Sequence, residues 1–147
     1  MPQSPQRTSS IHGFDRFFAR ATGNAPFSFQ RDFAGEGRGD WQGAKGPPAL
    51  VDVPTGLGKT AMAVLGWLWR RRFADDEVRR ATPRRLVYCL PMRVLVEQTR
   101  ENAKRWIGAL KDSGLRDGDV PVSVLMGGED AGDSDWDIHP ERDAIII

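Results

Sequence analysis

Apolar positions near the start of the chain recur with a helical period. Phe14, Phe17, Phe18 and Ala21 sit at offsets of 3, 4 and 7, which predicts a helix from Ile11 to Ala21. Gly23-Asn24 is a stop signal. After Pro26, Phe29 and Phe33 lie four apart and predict a turn or two of helix within 27–34. Residues 35–48 hold five glycines and two prolines, the mark of a flexible loop. Leu50-Val51-Asp52-Val53 predicts a short strand, and a glycine-bearing loop, 54–59, follows it. Ala61, Val64, Leu65, Leu68 and Trp69 then form an apolar stripe, so 60–74 is expected to be helical, with Arg70, Arg71 and Arg72 at its end. A second strand is expected at 86–90 and is broken by Pro91. A long helix follows from about Arg93 to Leu110, with Val96, Thr99, Ala103, Trp106, Ile107 and Leu110 on one face. A third strand at 120–126, an acidic loop and a final strand at 144–147 complete the pattern. Apolar strands alternating with amphipathic helices predict an α/β fold with a mainly parallel sheet.

Composition narrows the function. The 147 residues carry 21 Lys and Arg against 20 Asp and Glu, a net charge of +1, so bulk charge cannot hold nucleic acid. Any such contact must come from a few placed groups. The 39% hydrophobic and 28% charged residues are an ordinary globular balance. Cys89 stands alone, which excludes an internal disulfide and fits a reducing, cytoplasmic setting. Only His12 and His139 could join it, too few ligands for a four-ligand zinc site. No stretch approaches the ~18–20 apolar residues of a membrane span, and the polar start MPQSPQRTSS is no secretory signal. Ala144-Ile145-Ile146-Ile147 reads as a buried strand with nothing after it, so the chain is expected to be a fragment or the front of a longer protein. The expected organisation is a disordered tail at 1–10, a helical segment at 11–34, a flexible loop at 35–48 and a nucleotide-binding unit at 49–147.

Chemistry concentrates in Pro54-Thr55-Gly56-Leu57-Gly58-Lys59-Thr60, between an expected strand and an expected helix. A Walker A loop requires that context. Unpaired amides and the positive dipole end at a helix N-terminus attract phosphate. Glycines let the backbone curl around the phosphates, which assigns that task to Gly56 and Gly58. Lys59 would reach the β- and γ-phosphates, and the Thr60 hydroxyl would ligate Mg²⁺. The first glycine of the pattern is replaced by Val53. Gly56 to Ala61 also satisfies the dinucleotide fingerprint G-x-G-x-x-[GA], with Asp76 twenty residues beyond Gly56. That reading fails, because the acidic residue of a dinucleotide fold follows the second strand and Asp76 precedes it.

These residues resemble a known family. Pro54 to Thr60 is similar to motif I of superfamily 2 helicases, which commonly lack the first Walker glycine. Leu90-Pro91-Met92-Arg93-Val94-Leu95-Val96-Glu97-Gln98 is similar to their motif Ia, and Pro26-Phe27-Ser28-Phe29-Gln30 resembles the upstream Q motif, whose glutamine reads adenine. With Leu125-Met126-Gly127-Gly128-Glu129, Trp136, Pro140 and the final apolar run, the set is most similar to the CRISPR-associated helicase of type I interference systems, the I-U or I-G branch above all. The resemblance spans roughly residues 12–147. It implies a RecA-like P-loop fold, a three-layer sandwich incomplete at its C-terminus, that uses ATP and Mg²⁺ to move on single-stranded DNA after recruitment by an RNA-guided surveillance complex. The nucleotide would be held by Gln30 and by Pro54, Thr55, Gly56, Leu57, Gly58, Lys59 and Thr60. Lys59 and Thr60 would act in catalysis, and Pro91 and Arg93 would hold DNA. The family's Walker B carboxylates, second RecA-like domain and arginine fingers are not in this sequence, nor is the His-Asp dipeptide of its nuclease domain.

Each assignment has a plainer rival. Gln30 could be a solvated glutamine on a short helix, and Arg93 a helix-start arginine in water. Arg70, Arg71, Arg72, Arg79, Arg80, Arg84 and Arg85 form the most basic stretch, but the connection that carries them belongs at the opposite edge of the sheet from the phosphate loop. A solvated structural face is the expected reading there. Asp133-Ser134-Asp135-Trp136-Asp137 opens like an EF-hand, yet Ile138 and Ala144 occupy its glycine and glutamate positions, so calcium is not expected. Trp136 would stack on a base or pack over a neighbouring helix. Two other functions stay open: a non-catalytic fragment that binds nucleic acid or protein partners, and part of another P-loop enzyme such as a small-molecule kinase.

Overall fold

A computed structural model describes residues 13–36, 46–116, 118–126 and 135–147. The expected polar tail, His12, most of the glycine-rich loop, the Gly127-Gly128-Glu129 segment and Asp133-Ser134 lie outside them.

Helix α1 spans Phe14–Thr22 and begins on the first residue of its apolar pattern, with Gly13 at φ +86° just ahead of it. Gly23 ends it in the left-handed region, with its N–H donating to the Ala19 carbonyl at 2.8 Å. Phe14, Phe17, Phe18 and Ala21 are all buried. Helix α2, Ser28–Ala34, is stopped by Gly35 in the same left-handed conformation. Helix α3, Lys59–Arg72, is covered on more than the expected stripe: Met62, Gly66 and Trp67 are buried too. Trp69 receives the edges of Phe14 and Phe17 at 5.8 and 5.3 Å and stacks on Phe73 at 5.8 Å. Burial of each such ring stabilises the fold by roughly 1.5–3 kcal/mol. Gly66 lets α2 and α3 approach, since a Cβ there would lie 2.4 Å from Phe33.

Helix α4, Asp76–Ala81, is an element that apolar periodicity does not reveal, because none of its residues is buried. Its signal is polar: Asp75 accepts the Val78 N–H at 2.9 Å as an N-cap, acidic residues fill the first turn, and Arg79 and Arg80 the last. Strand β1 is Arg85–Val87. Helix α5, Arg93–Ala109, buries Val96, Thr99, Ala103 and Trp106 against the core, and a 3₁₀ turn at Lys111–Ser113 follows. Strand β2 is Val122–Ser123, a short helix α6 occupies Asp135–Ile138 where an acidic loop was expected, and β3 is Ala144–Ile146. The three strands form a parallel sheet in the order β1-β3-β2, with Leu86 opposite Ile145 and Val122 opposite the same residue. β3 is central and wholly buried, as a parallel strand covered on both faces should be. One apolar cluster joins α1, α3, α5 and the strands. Among the described residues, no helix is long and apolar enough to cross a membrane.

Two expectations are corrected. Leu50 to Val53 forms no strand, and Leu50 is 81% exposed. None of the three strands pairs with it, and Pro48 and Pro54 on either side bring no N–H to a ladder. The basic stretch is structural but not uniformly solvated. Arg70 and Arg71 are buried. Arg71 Nε donates to Asp143 at 2.7 Å, and Arg72 reaches the other oxygen of the same carboxylate at 3.3 Å and Asp119 at 3.2 Å. Arg70 donates to the Phe33 carbonyl at the end of α2, and burial lowers its pKa. The Arg85 guanidinium lies 5.5 Å from the centre of the Trp136 ring.

Candidate nucleotide site

The loop between Val53 and α3 is curled. Gly56 and Gly58 both adopt positive φ, +83° and +79°, a conformation that other residues rarely enter. Pro54 to Gly58 are exposed, while Lys59 and Thr60 are half-buried at the start of α3. Lys59 Nζ donates to the Val53 carbonyl at 2.9 Å, so the ammonium folds back across the mouth of its own loop. It is held by a neutral carbonyl, and an incoming anion has no carboxylate to displace at that bond. The α3 N-terminus adds amides of its first turn and the positive end of a fourteen-residue helix.

Gln30 stands beside this loop, 2% exposed rather than solvated. Its Oε1 accepts the Phe27 N–H at 2.8 Å, which caps α2 from the third helical position. Its Nε2 donates to the Gly58 carbonyl at 3.1 Å, and that carbonyl also accepts the Met62 N–H at 2.9 Å. A Cβ on Gly58 would lie 2.8 Å from the same Nε2. Glycine at that position therefore answers two demands, the backbone conformation and the approach of the amide. An amide has two donor protons and two acceptor lone pairs. One of each is engaged here, which leaves one of each for a ligand.

Next to Gln30 opens a cleft of about 560 Å³ between the end of α1, the start of α2, the loop and α5. Phe27 lies on its rim, half exposed and stacked on Phe29 at 5.7 Å. Leu57, Arg105 and Trp106 supply other walls. Its mixture of apolar area and a few polar groups suits a planar heterocycle. Neither Arg105 nor Trp106 is flagged by a motif, because α5 reaches the cleft only through tertiary packing.

The other assigned residues lie beyond the end of β1. Pro91 and Arg93 are exposed, and Arg93 forms an ion pair with Glu97 one turn on at 3.5 Å. Tyr88, one residue past β1, brings its hydroxyl to 3.3 Å from the Thr60 hydroxyl. This contact ties the phosphate loop to the strand that leads into Pro91 and Arg93. Asp143 and its arginines precede β3, at the other end of the strands, as expected for the basic stretch. Among the described residues, no group of three or more His, Cys, Asp or Glu is placed to hold a metal.

Residues 42–138 match the family model of the DEAD/DEAH box helicases. The chain belongs to that family. Comparison with curated proteins and with solved structures returns no match. DEAD/DEAH box helicases use ATP, generally with Mg²⁺. The matched span takes in the curled loop, Tyr88, Pro91, Arg93 and all of α5. Gln30, α1 and α2 lie ahead of it and join the helicase core through the apolar cluster and the Gly58 contact.

Proposed function

We propose that the chain is the ATP-binding front of a RecA-like helicase domain, a three-layer sandwich in its complete form, that moves on single-stranded DNA in a type I CRISPR interference system. The observation that carries the nucleotide part is the curled loop, with Lys59 held by a carbonyl and Gln30 bonded to Gly58 beside an open cleft. Adenine enters the cleft, where Gln30 offers its remaining donor and acceptor to the base edge. Amides from Pro54 to Thr60 wrap the phosphates, and Lys59 exchanges the Val53 carbonyl for a phosphate oxygen. Thr60 fits Mg²⁺ as a single hydroxyl ligand, since that ion keeps several waters and binds chiefly through substrate phosphates. When bound, the ion would supply charge neutralisation at the phosphates.

Arg93 and the N-terminus of α5 sit at the carboxyl end of β1, where ligands bind in open parallel sheets, and there they hold a DNA phosphate. The CRISPR assignment, with its RNA-guided surveillance complex and cytoplasmic setting, is supported by the likeness of the Pro91-Met92-Arg93 and Leu125 to Glu129 segments to that branch of helicases.

The decisive experiment measures a fluorescent ATP analogue binding to the chain and to Lys59→Ala. Binding that falls at least tenfold in the variant is expected. Equal binding refutes the nucleotide site. DNA is tested separately with a labelled single strand in a salt series. Arg93→Ala should weaken binding and flatten the salt slope by about one phosphate contact.

A further inference from the structure

Thr60 is assigned to Mg²⁺, and a hydroxyl that ligates a cation must turn a lone pair toward it and its single proton elsewhere. The Tyr88 oxygen, 3.3 Å away, is the acceptor placed to take that proton. In the absence of the ion either hydroxyl can donate to the other. A cation on one lone pair of Thr60 polarises its O–H and weakens the remaining lone pair as an acceptor, which favours Thr60 donating and Tyr88 accepting. Tyr88 is held for this task from its main chain: its N–H donates to the Ile146 carbonyl at 2.8 Å, which extends the β1–β3 pairing by one residue. The residue is half-buried, and its hydroxyl meets Thr60.

We infer that Tyr88 is a positioning residue for the magnesium side of the nucleotide site, accepting the Thr60 proton so that the hydroxyl oxygen faces the ion. This rests on the nucleotide reading above. Tyr88→Phe keeps the ring and removes the acceptor.

The test measures dissociation constants of a fluorescent ATP analogue for the 147-residue chain, with Mg²⁺ and with EDTA, for the parent and for Tyr88→Phe. The variant should bind about threefold to tenfold more weakly with Mg²⁺, the size of one net hydrogen bond, and should match the parent in EDTA. Its thermal midpoint should stay within a degree or two. Equal affinities in both conditions overturn the inference. A loss of the same size with and without Mg²⁺ also overturns it, since that marks a general packing role. If the parent chain itself binds no analogue in either condition, the nucleotide reading falls first and this inference with it, an outcome distinct from the other two.

Discussion

Gln30 carries two loads at once, and substitutions can separate them. Gln30→Ala removes the acceptor for the Phe27 N–H at 2.8 Å, a helix cap of about 1 kcal/mol. It also removes one buried methylene together with the carboxamide, which adds roughly 0.8 kcal/mol. The Gly58 carbonyl is not stranded, because it keeps the Met62 N–H. The expected loss is therefore about 2 kcal/mol. Gln30→Glu differs in kind. It preserves the carbon skeleton and the oxygen that accepts from Phe27, but a second oxygen now faces the Gly58 carbonyl, acceptor against acceptor. That costs on the order of 1–3 kcal/mol at neutral pH. Protonation of the new carboxyl would restore a donor toward Gly58. The protonated form is then the favoured one in the folded state. The stability lost at neutral pH should return as pH falls, and disappear again as pH rises through the raised folded value. Urea unfolding followed by tryptophan fluorescence, at pH 7 and pH 5, reads all three proteins. If Gln30→Glu is as stable as the parent at pH 7 and shows no added pH dependence, the Gln30–Gly58 contact does not exist as described.

Other perturbations probe the frame around the site. Asp143→Ala leaves the buried Arg71 guanidinium, among the described residues, with the Arg79 and Thr82 carbonyls and no carboxylate, so chemical denaturation should show a loss of about 3 kcal/mol. Adding Arg71→Met should recover much of it, and a double-mutant cycle with no coupling would contradict the pairing. Gly66→Ala forces a methyl against Phe33 and should cost about 1–3 kcal/mol, seen as a lower thermal midpoint.

The elements most legible in the sequence were those whose apolar residues follow one period. Phe14, Phe17, Phe18 and Ala21 mark α1, and Ala61 to Trp69 mark α3, because burial of one face is a local property of spacing. The phosphate loop was legible for a different reason: glycines at positive φ beside a lysine leave a chemical signature. Pairing is not local. Leu50 to Val53 has the composition of a strand, yet composition cannot show whether another strand runs alongside. Charge misled in the opposite sense, since Arg70 and Arg71 read as solvated until the fold brings Phe33 and Asp143 to them. Gln30 and Tyr88 act through partners 28 positions away, a distance at which no periodicity speaks.

The sheet order also has a consequence for the nascent chain. The strand that joins the other two is synthesised after both. As the polypeptide emerges, β1 and β2 find no ladder partner among the described strands until β3 arrives, whereas α1 and α3 can already collapse around Trp69. Long-range closure of this sort is the slow step of assembly. The phosphate loop would thus be shaped early, resting on helices, while its tie through Tyr88 to Ile146 is fastened only at the end.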